Sequence, residues 1–208
     1  MAVTTFCTEK FVKYDVAEEG DFTSLLNSIV VPRPIALITS GYEVVNAAPF
    51  SYFNIVSTRP PIISVAITRK KSGECKDTAR NIFLCKEFVV NICSVEHARE
   101  ISLMATDFPP EVSEVELLQF SMIPSQKISV PRIANTMVQM ECVYRQAIHV
   151  ETELGVDMIL GEVVMVHLHE NLLYINGEVD LEKLNPLARF GGTTFGKVSD
   201  FFDMARMK

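Results

Sequence analysis

The chain has 208 residues, 48% of them hydrophobic and 22% charged, with 19 Lys and Arg against 26 Asp and Glu for a formal net charge of −7. That length and apolar content suit one domain with embellishments and a core of its own. The negative balance argues against non-specific binding to nucleic acid or to an anionic membrane, so any basic patch must be local.

Met1 to Asp15 carries Glu9, Lys10 and Lys13 and no uninterrupted apolar core, a pattern of neither a secretory signal nor an anchor. No later apolar run approaches the ~20 residues of a spanning helix, and a soluble cytoplasmic protein is the expectation. The five cysteines, Cys7, Cys75, Cys85, Cys93 and Cys142, lack CxxC spacing and fit reduced thiols. Cys85 and Cys93 read as core residues. Cys75 stands in a polar turn beside Lys76, where a merely exposed thiol and a charge-favoured thiolate are both open.

In chain order, Asp21 to Ser28 predicts a short helix that must end before Pro32. Pro34 to Thr39 reads as a strand, Ser40 to Glu43 as a turn, and Val44 to Phe53 as a second extended run, together a hairpin. Ile62 to Thr68 is a third strand, introduced by Pro60-Pro61. Between Asp77 and Lys86 the period changes: Ala79, Ile82 and Phe83 share a helical stripe, with Asp77 or Thr78 as N-cap. Phe88 to Cys93 returns to strand, and Val95 to Ala105 predicts a helix capped by Ser94.

Asp107 to Glu111 is an irregular acidic excursion, suited to a lid or a dimer contact. Met137 to Val150 and Met158 to His169 form a long hairpin about Glu153 to Gly155. Leu181 to Leu187 and Ser199 to Met207 are helical or irregular elements flanking Arg189-Phe190-Gly191-Gly192. Strands outnumber short helices and are mostly hairpin-connected, so the expected fold is mainly β, a closed or split antiparallel barrel that removes the sheet edges.

Two segments carry the candidate chemistry. The first is Asn46-Ala47-Ala48-Pro49-Phe50-Ser51-Tyr52-Phe53-Asn54. Its aromatic and small residues can wall a flat heterocycle while Asn46, Ser51 and Asn54 offer hydrogen bonds; a bent strand with a packed aromatic face is the alternative. The second is the turn Thr68 to Thr78, in which Arg69, Lys76, Ser72 and Thr78 precede or open a helix. An anion there would gain the positive end of the helix dipole and unsatisfied amides; an exposed basic turn with an ordinary cap is the plainer reading of the same residues taken alone.

Other chemistries lack apparatus. There is no Walker pattern, no GxGxxG after the first strand and no GxSxG elbow, and no cysteine stands near a partnered histidine. His167 and His169 would share one face of a strand, but no third metal ligand is evident, and solvent-facing histidines are the default. What remains is chemistry borne by a cofactor.

From about Val31 to Phe195 the chain resembles the flavin reductase-like family with the FMN-binding split β-barrel, near its flavoredoxin branch. The resemblance runs through Arg33 to Ala36 (RPIA), Asn46 to Asn54 (NAAPFSYFN), Pro60 to Val65 (PPIISV), Lys76 to Ile82 (KDTARNI), Phe88 to Ile92 (FVVNI), Gly161 to Val164 (GEVV) and Arg189 to Gly192 (RFGG). It implies a homodimer with FMN at or near the subunit interface. The Pro49 to Asn54 segment would line the isoalloxazine and ribityl chain, with Ser51 and backbone amides near the flavin. Arg69, Lys76, Asp77 and Thr78 would neighbour the phosphate, and Arg189, Gly191 and Gly192 would lie at the site mouth. Two departures stand out: a short turn at Gly41 to Glu43, and Phe195 where relatives often carry tyrosine after the double glycine.

Three functions follow from this reading. One is a reductase in which NADH or NADPH passes hydride to FMN, by positioning rather than by a protein acid or base. The second is an FMN electron-transfer protein served by a redox protein partner, and the third is a barrel that binds another ligand without flavin.

Overall fold

The computed structural model describes residues 12, 14, 15, 21–105, 109 and 112–204. Its centre is a seven-stranded antiparallel sheet built from β2 (Ala36–Ser40), β3 (Asn46–Phe50), β4 (Phe53–Thr58), β5 (Pro61–Thr68), β6 (Glu87–Ile92), β9 (Val138–Val150) and β10 (Val156–Leu168). The spatial order is β3-β2-β6-β9-β10-β5-β4. The two edge strands, β3 and β4, are therefore consecutive in the chain and joined only by Ser51 and Tyr52. A sheet whose opposite edges are tied by two residues must curl back on itself, which makes a barrel. The gap between β3 and β4 is the split.

The core explains which residues fill the strands. Ala36 and Ile38 of β2 join Ile63, Val65 and Ile67 of β5, Phe88 and Val90 of β6, Cys142 and Ile159 in the barrel interior. Leu37 and the preceding Ile35 point the other way, into a second cluster with Ala47, Ile101, Met104, Val115, Ile133 and Leu187. β2 is thus buried on both faces, and its run of apolar residues shows no alternation, as expected of a strand covered on each side. Gly161 of β10 is fixed by packing: a Cβ there would lie 2.3 Å from Phe88 Cζ, where the β9–β10 register also shifts.

Helix α1 (Thr23–Ile29) precedes β1 (Arg33–Pro34). Helix α2 (Asp77–Cys85) covers one end of the barrel, burying Thr78, Ala79 and Ile82, with Phe83 edge-on to Tyr144 at 5.9 Å. It stops at Lys86, which takes a left-handed conformation at φ 62°. A 3-10 turn at Val95–His97 leads into α3 (Ala98–Met104), whose Ile101 and Met104 pack in the second cluster. Helix α4 (Glu114–Leu117) is capped by Ser113, whose hydroxyl accepts from the Glu116 amide. β7 (Met122–Ile123) pairs with β8 (Arg132–Ile133), and α5 (Leu181–Leu184) leads to β11 (Leu187–Arg189) and β12 (Phe195–Lys197).

The mainly-β split barrel, the β2–β3 hairpin, α2 and the long β9–β10 hairpin agree with the sequence reading. Several elements differ. The predicted run Val44 to Phe53 breaks at Ser51-Tyr52, and Phe53 begins a separate strand, β4, which returns along β5. Only Phe53 of that strand is buried, so no hydrophobic alternation marks it. The predicted strand Pro34 to Thr39 is divided between two sheets, since Arg33-Pro34 pairs with β11 rather than with β3. The segment around Arg189 forms strands β11 and β12, too short to show a period. Neither Asp77 nor Thr78 caps α2: Lys76 holds the N-cap position, with no side-chain cap bond. Ser94 likewise contacts His97 Nδ1 at 3.1 Å rather than a helix amide. Of the acidic excursion at 107–111, only Pro109 falls among the described residues, and residues 205–208 of the predicted tail lie outside them.

Candidate functional site

At the split, β3, the basic turn 69–76, the start of α2, the end of α3 and α4 enclose a cavity of about 640 Å³. One wall is apolar, made by Ala48, Pro49, Phe50 and Met104. The basic turn and the start of α2 add Lys70, Lys71, Ser72, Lys76, Asp77 and Thr78 to the lining. The turn is folded by its own backbone, with Lys70 N–H donating to Glu74 C=O at 2.9 Å and Gly73 N–H to Lys70 C=O at 2.8 Å. Because no side chain caps α2, its first amides and dipole are left to whatever occupies this side of the cavity.

A polar chain ties three elements around the cavity. Thr78 Oγ1 of α2 donates to Asn46 Oδ1 of β3 at 2.9 Å, and Asn46 Nδ2 donates to both carboxylate oxygens of Glu114 on α4 at 2.9 Å. Burial pushes the Glu114 carboxyl above the ordinary carboxylate range, an effect that hydrogen bonds from the Ala47 amide and Asn46 only partly offset. Asp77 is held between Lys70 at 3.1 Å and Arg80 at 2.7 Å, so its charge is compensated before any ligand arrives.

A second cavity of about 210 Å³ adjoins the first and shares Pro49, Phe50 and Ala105 with it. Arg33, Ser51, Tyr52, Arg189, Gly191 and Gly192 line it, with Phe195 beneath the Arg189 guanidinium at 4.2 Å from the ring centre. Arg189 Nε donates to Gly191 C=O at 3.1 Å, and its Nη2 donates to Gly192 C=O. Gly191 has φ +141°, a conformation that a side chain would strain, and a Cβ would come within 3.2 Å of Ser28 Oγ. A third hollow links Pro49 to Tyr52 with Ala66, Thr68 and Lys76.

Of the residues singled out in the sequence, Asn46, Pro49, Phe50, Ser51, Tyr52, Lys76, Asp77, Thr78, Arg189, Gly191 and Gly192 line these connected spaces. Three do not. Phe53 is buried in the barrel interior, and Asn54 is exposed on β4 with its Oδ1 accepting from the Ile55 amide at 2.8 Å. Arg69 forms a two-point pair with Asp157 at 3.0 and 2.8 Å. Sequence reasoning missed Glu114, Met104 and Arg33 as lining residues. Arg33 stood in the quoted RPIA motif; the other two have no local pattern, since each arrives from a helix docked on β3.

Cys75 is neither freely exposed nor primed as a thiolate. It is half-buried with Sγ 3.5 Å from Asp157 Oδ2, and burial together with that carboxylate pushes its thiol up. Cys93 is buried, whereas Cys85 is only partly so. His167 is not a solvent-facing residue: its Nε2 lies 2.6 Å from the fully buried Glu141. No helix among the described residues is long and apolar enough to cross a membrane.

The class defined by this fold and site is a mainly-β barrel, split between its edge strands, with a cavity walled by Pro49 and Phe50 at the split. Residues 28–181 match the family model of the flavin reductase like domain, and the chain belongs to that family. Nitrilotriacetate monooxygenase component B from Bacillus cereus is 37% identical with a TM-score of 0.89, covering 95% of this chain and 100% of that one. The 2-nitrobenzoate 2-nitroreductase NbaA of Pseudomonas fluorescens is 32% identical with a TM-score of 0.78 over 88% and 89% of the two chains. A split barrel domain protein of Shewanella frigidimarina, at 16% identity and TM-score 0.79 over 89% and 91%, has the same fold. The relationship supports a flavin-related oxidoreductase.

Proposed function

We propose that this protein binds FMN in the larger cavity and works as a flavin reductase that accepts hydride from NADH or NADPH. The observation that carries the reading is that Ala48, Pro49 and Phe50 share one space of about 640 Å³ with a basic turn and a helix start that no side chain caps. That donor set suits a flat ring on one side and a phosphate on the other. Lys70, Lys71, Lys76 and Ser72, with the first amides of α2, hold the phosphate. Pro49 and Phe50 wall the ring, with Ser51 and Tyr52 in the adjoining hollow, and Asn46 and Thr78 supply the polar contacts that set its orientation. Asp77 keeps Lys70 in place, and Arg189, Gly191 and Gly192 form the mouth. Phe53, Asn54 and Arg69 are left outside this assignment.

The two-electron chemistry would come from the flavin ring. The chain's own part is positioning: the walls exclude water and orient two flat rings at contact distance. No protein acid or base is required. The likeness to one component of a monooxygenase supports a second reading, in which electrons pass onward to a redox protein partner. Ile55 and Val56, 68% and 54% exposed on the edge strand β4, suit burial in a homodimer that would cover the open split. The unpaired Cys75, Cys85, Cys93 and Cys142 suit a reducing, cytoplasmic setting.

The test is an anaerobic visible spectrum of the protein reconstituted with FMN, followed by NADH and then NADPH. Rapid bleaching identifies a reductase and its donor. Bound but unbleached flavin moves the reading to electron transfer with a protein partner, and failure to take up FMN leaves a barrel for another ligand. Sedimentation velocity on the same sample checks the dimer.

A further inference from the structure

Arg33 of β1 and Arg189 of β11 are direct partners across an antiparallel pair, and both line the 210 Å³ cavity. Like charges placed opposite each other destabilise a sheet unless something between them compensates. No carboxylate side chain lines this cavity among the described residues. Arg33 is 8% exposed; its Nη1 donates to Val30 C=O at 3.0 Å and to Asn27 C=O, while its Nε is buried without a hydrogen-bond partner. Buried charged donors without an acceptor are costly and normally find one. Burial and the neighbouring Arg33 charge also pull the Arg189 guanidinium below its ordinary value, the direction expected of a cation lacking an anion.

We propose that this pocket is an oxyanion receptor: Arg33 and Arg189 together bind the carboxylate or phosphate of the small molecule that meets the cofactor. The pocket shares Pro49, Phe50 and Ala105 with the larger cavity, so a ligand anchored here lies next to the wall proposed for the ring. Planar guanidinium forks suit carboxylate and phosphate oxygens, and two of them lining one small half-open pocket favour an anion over a neutral group. Gly191 and Gly192 supply carbonyls that hold the Arg189 fork in place, and Phe195, with no hydroxyl to compete, supports it from below. This inference rests on the reading that the larger cavity takes the flavin.

The experiment is calorimetric titration of the FMN-loaded protein at low salt with benzoate and, separately, with AMP, repeated on Arg189→Gln and Arg189→Lys. One-to-one binding by either probe, weakened at least tenfold in Arg189→Gln and less in Arg189→Lys, is the expected result. Benzoate alone identifies an organic acid as the natural source of the anion, and AMP alone identifies a nucleotide phosphate. Absence of binding by both probes, or unchanged affinity in Arg189→Gln, overturns the proposal. FMN titration of the same variants separates the two readings. An FMN loss in Arg189→Gln larger than the anion loss gives the pocket to the cofactor and overturns the receptor while leaving the reductase reading intact. If the wild-type chain takes up no FMN, the reductase reading fails, and the same titrations on the flavin-free protein still test the pocket. Should Arg189→Gln not fold, as judged by circular dichroism, Arg189→Lys decides: anion affinity equal to wild type overturns the proposal.

Discussion

Arg69 gives Nε and Nη2 to the two carboxylate oxygens of Asp157, at 3.0 and 2.8 Å, and so faces the β9–β10 hairpin instead of the cavity beside its own turn. The Asp157 side chain is 3% exposed, and His149 Nδ1 adds a third contact at 3.3 Å. This pair fastens the basic turn to the barrel, an attachment reinforced by the Arg69 amide bonding Gly155 C=O at 3.0 Å.

Removing one partner strands the other. Asp157→Ala is expected to destabilise the fold by about 3 kcal/mol, the low end for breaking a buried pair because Arg69 is partly exposed, with a smaller loss for Arg69→Gln because that side chain is 28% exposed. Urea denaturation measures both. FMN affinity in Arg69→Gln should change less than in Lys76→Gln; the reverse order would return Arg69 to the phosphate site.

Lys76 stands at the N-cap position of α2 and lines the larger cavity. Replacing it with Gln removes a cation from the side proposed for the phosphate, and FMN binding should weaken roughly tenfold, or about 1.4 kcal/mol, in line with a charge-assisted hydrogen bond. Fluorescence quenching of FMN gives the affinity. Thr78→Val tests the polar chain instead: losing the 2.9 Å bond to Asn46 should cost about 1 kcal/mol of stability in the flavin-free protein.

Glu141 sets an acid limit on stability. It is fully buried, and burial by itself would push its carboxyl up; the amides of Gln126 and Lys127 at 2.8 and 2.7 Å, with His167, outweigh that and hold it below the usual carboxylate value. A carboxyl whose folded value is depressed contributes stability above its unfolded value of about 4.3 and loses that contribution as pH falls through the folded value. Asp157 acts with the same sign: burial opposes, but Arg69 and its other partners prevail. Thermal unfolding should therefore show a falling Tm below about pH 4.3, and the slope should flatten in Glu141→Gln.

Gly161→Ala places a methyl group 2.3 Å from Phe88 Cζ in the barrel interior. Overpacking of this kind costs about 1–3 kcal/mol. Gly192→Ala meets nothing within 4 Å and serves as the control, with an expected stability change under about 0.5 kcal/mol. Equal effects from the two would contradict the packing described for β10 against β6.

The Cys75 thiol is pushed up by burial and by Asp157. Alkylation with iodoacetamide, followed by peptide mass spectrometry against pH, should give a midpoint for Cys75 above the ordinary thiol value of about 8.5. A midpoint below that value would restore the activated-thiolate reading that the adjacent Lys76 suggests.

The local patterns of the chain carry much of this. The helical stripe of Ala79, Ile82 and Phe83 places α2, and the two long β runs about Gly155 place the β9–β10 hairpin. Strand β4 escaped because its outer residues Ile55 and Val56 are exposed and only Phe53 is buried, leaving no period to detect. β11 and β12, three residues each, are shorter than any periodicity can register. The His167 pairing with Glu141 was invisible for another reason: the two lie 26 residues apart and meet only through strand register.

By itself the sequence determined the mainly-β character and the two segments, Asn46 to Asn54 and Arg69 to Thr78, from which most of the cavity is built, because these are written in local composition and spacing, while the family entered through the likeness of its motifs to those of known proteins. Only the tertiary structure decided which members of those segments face the cavity. Turning at Ser51-Tyr52 sends Phe53 into the core and Asn54 to the surface, and Asp157, 88 residues from Arg69, draws that arginine away. It likewise decided that Glu114 would join Asn46 and that Arg33 would meet Arg189, since helix docking and strand pairing, which set these contacts, depend on the whole barrel closing.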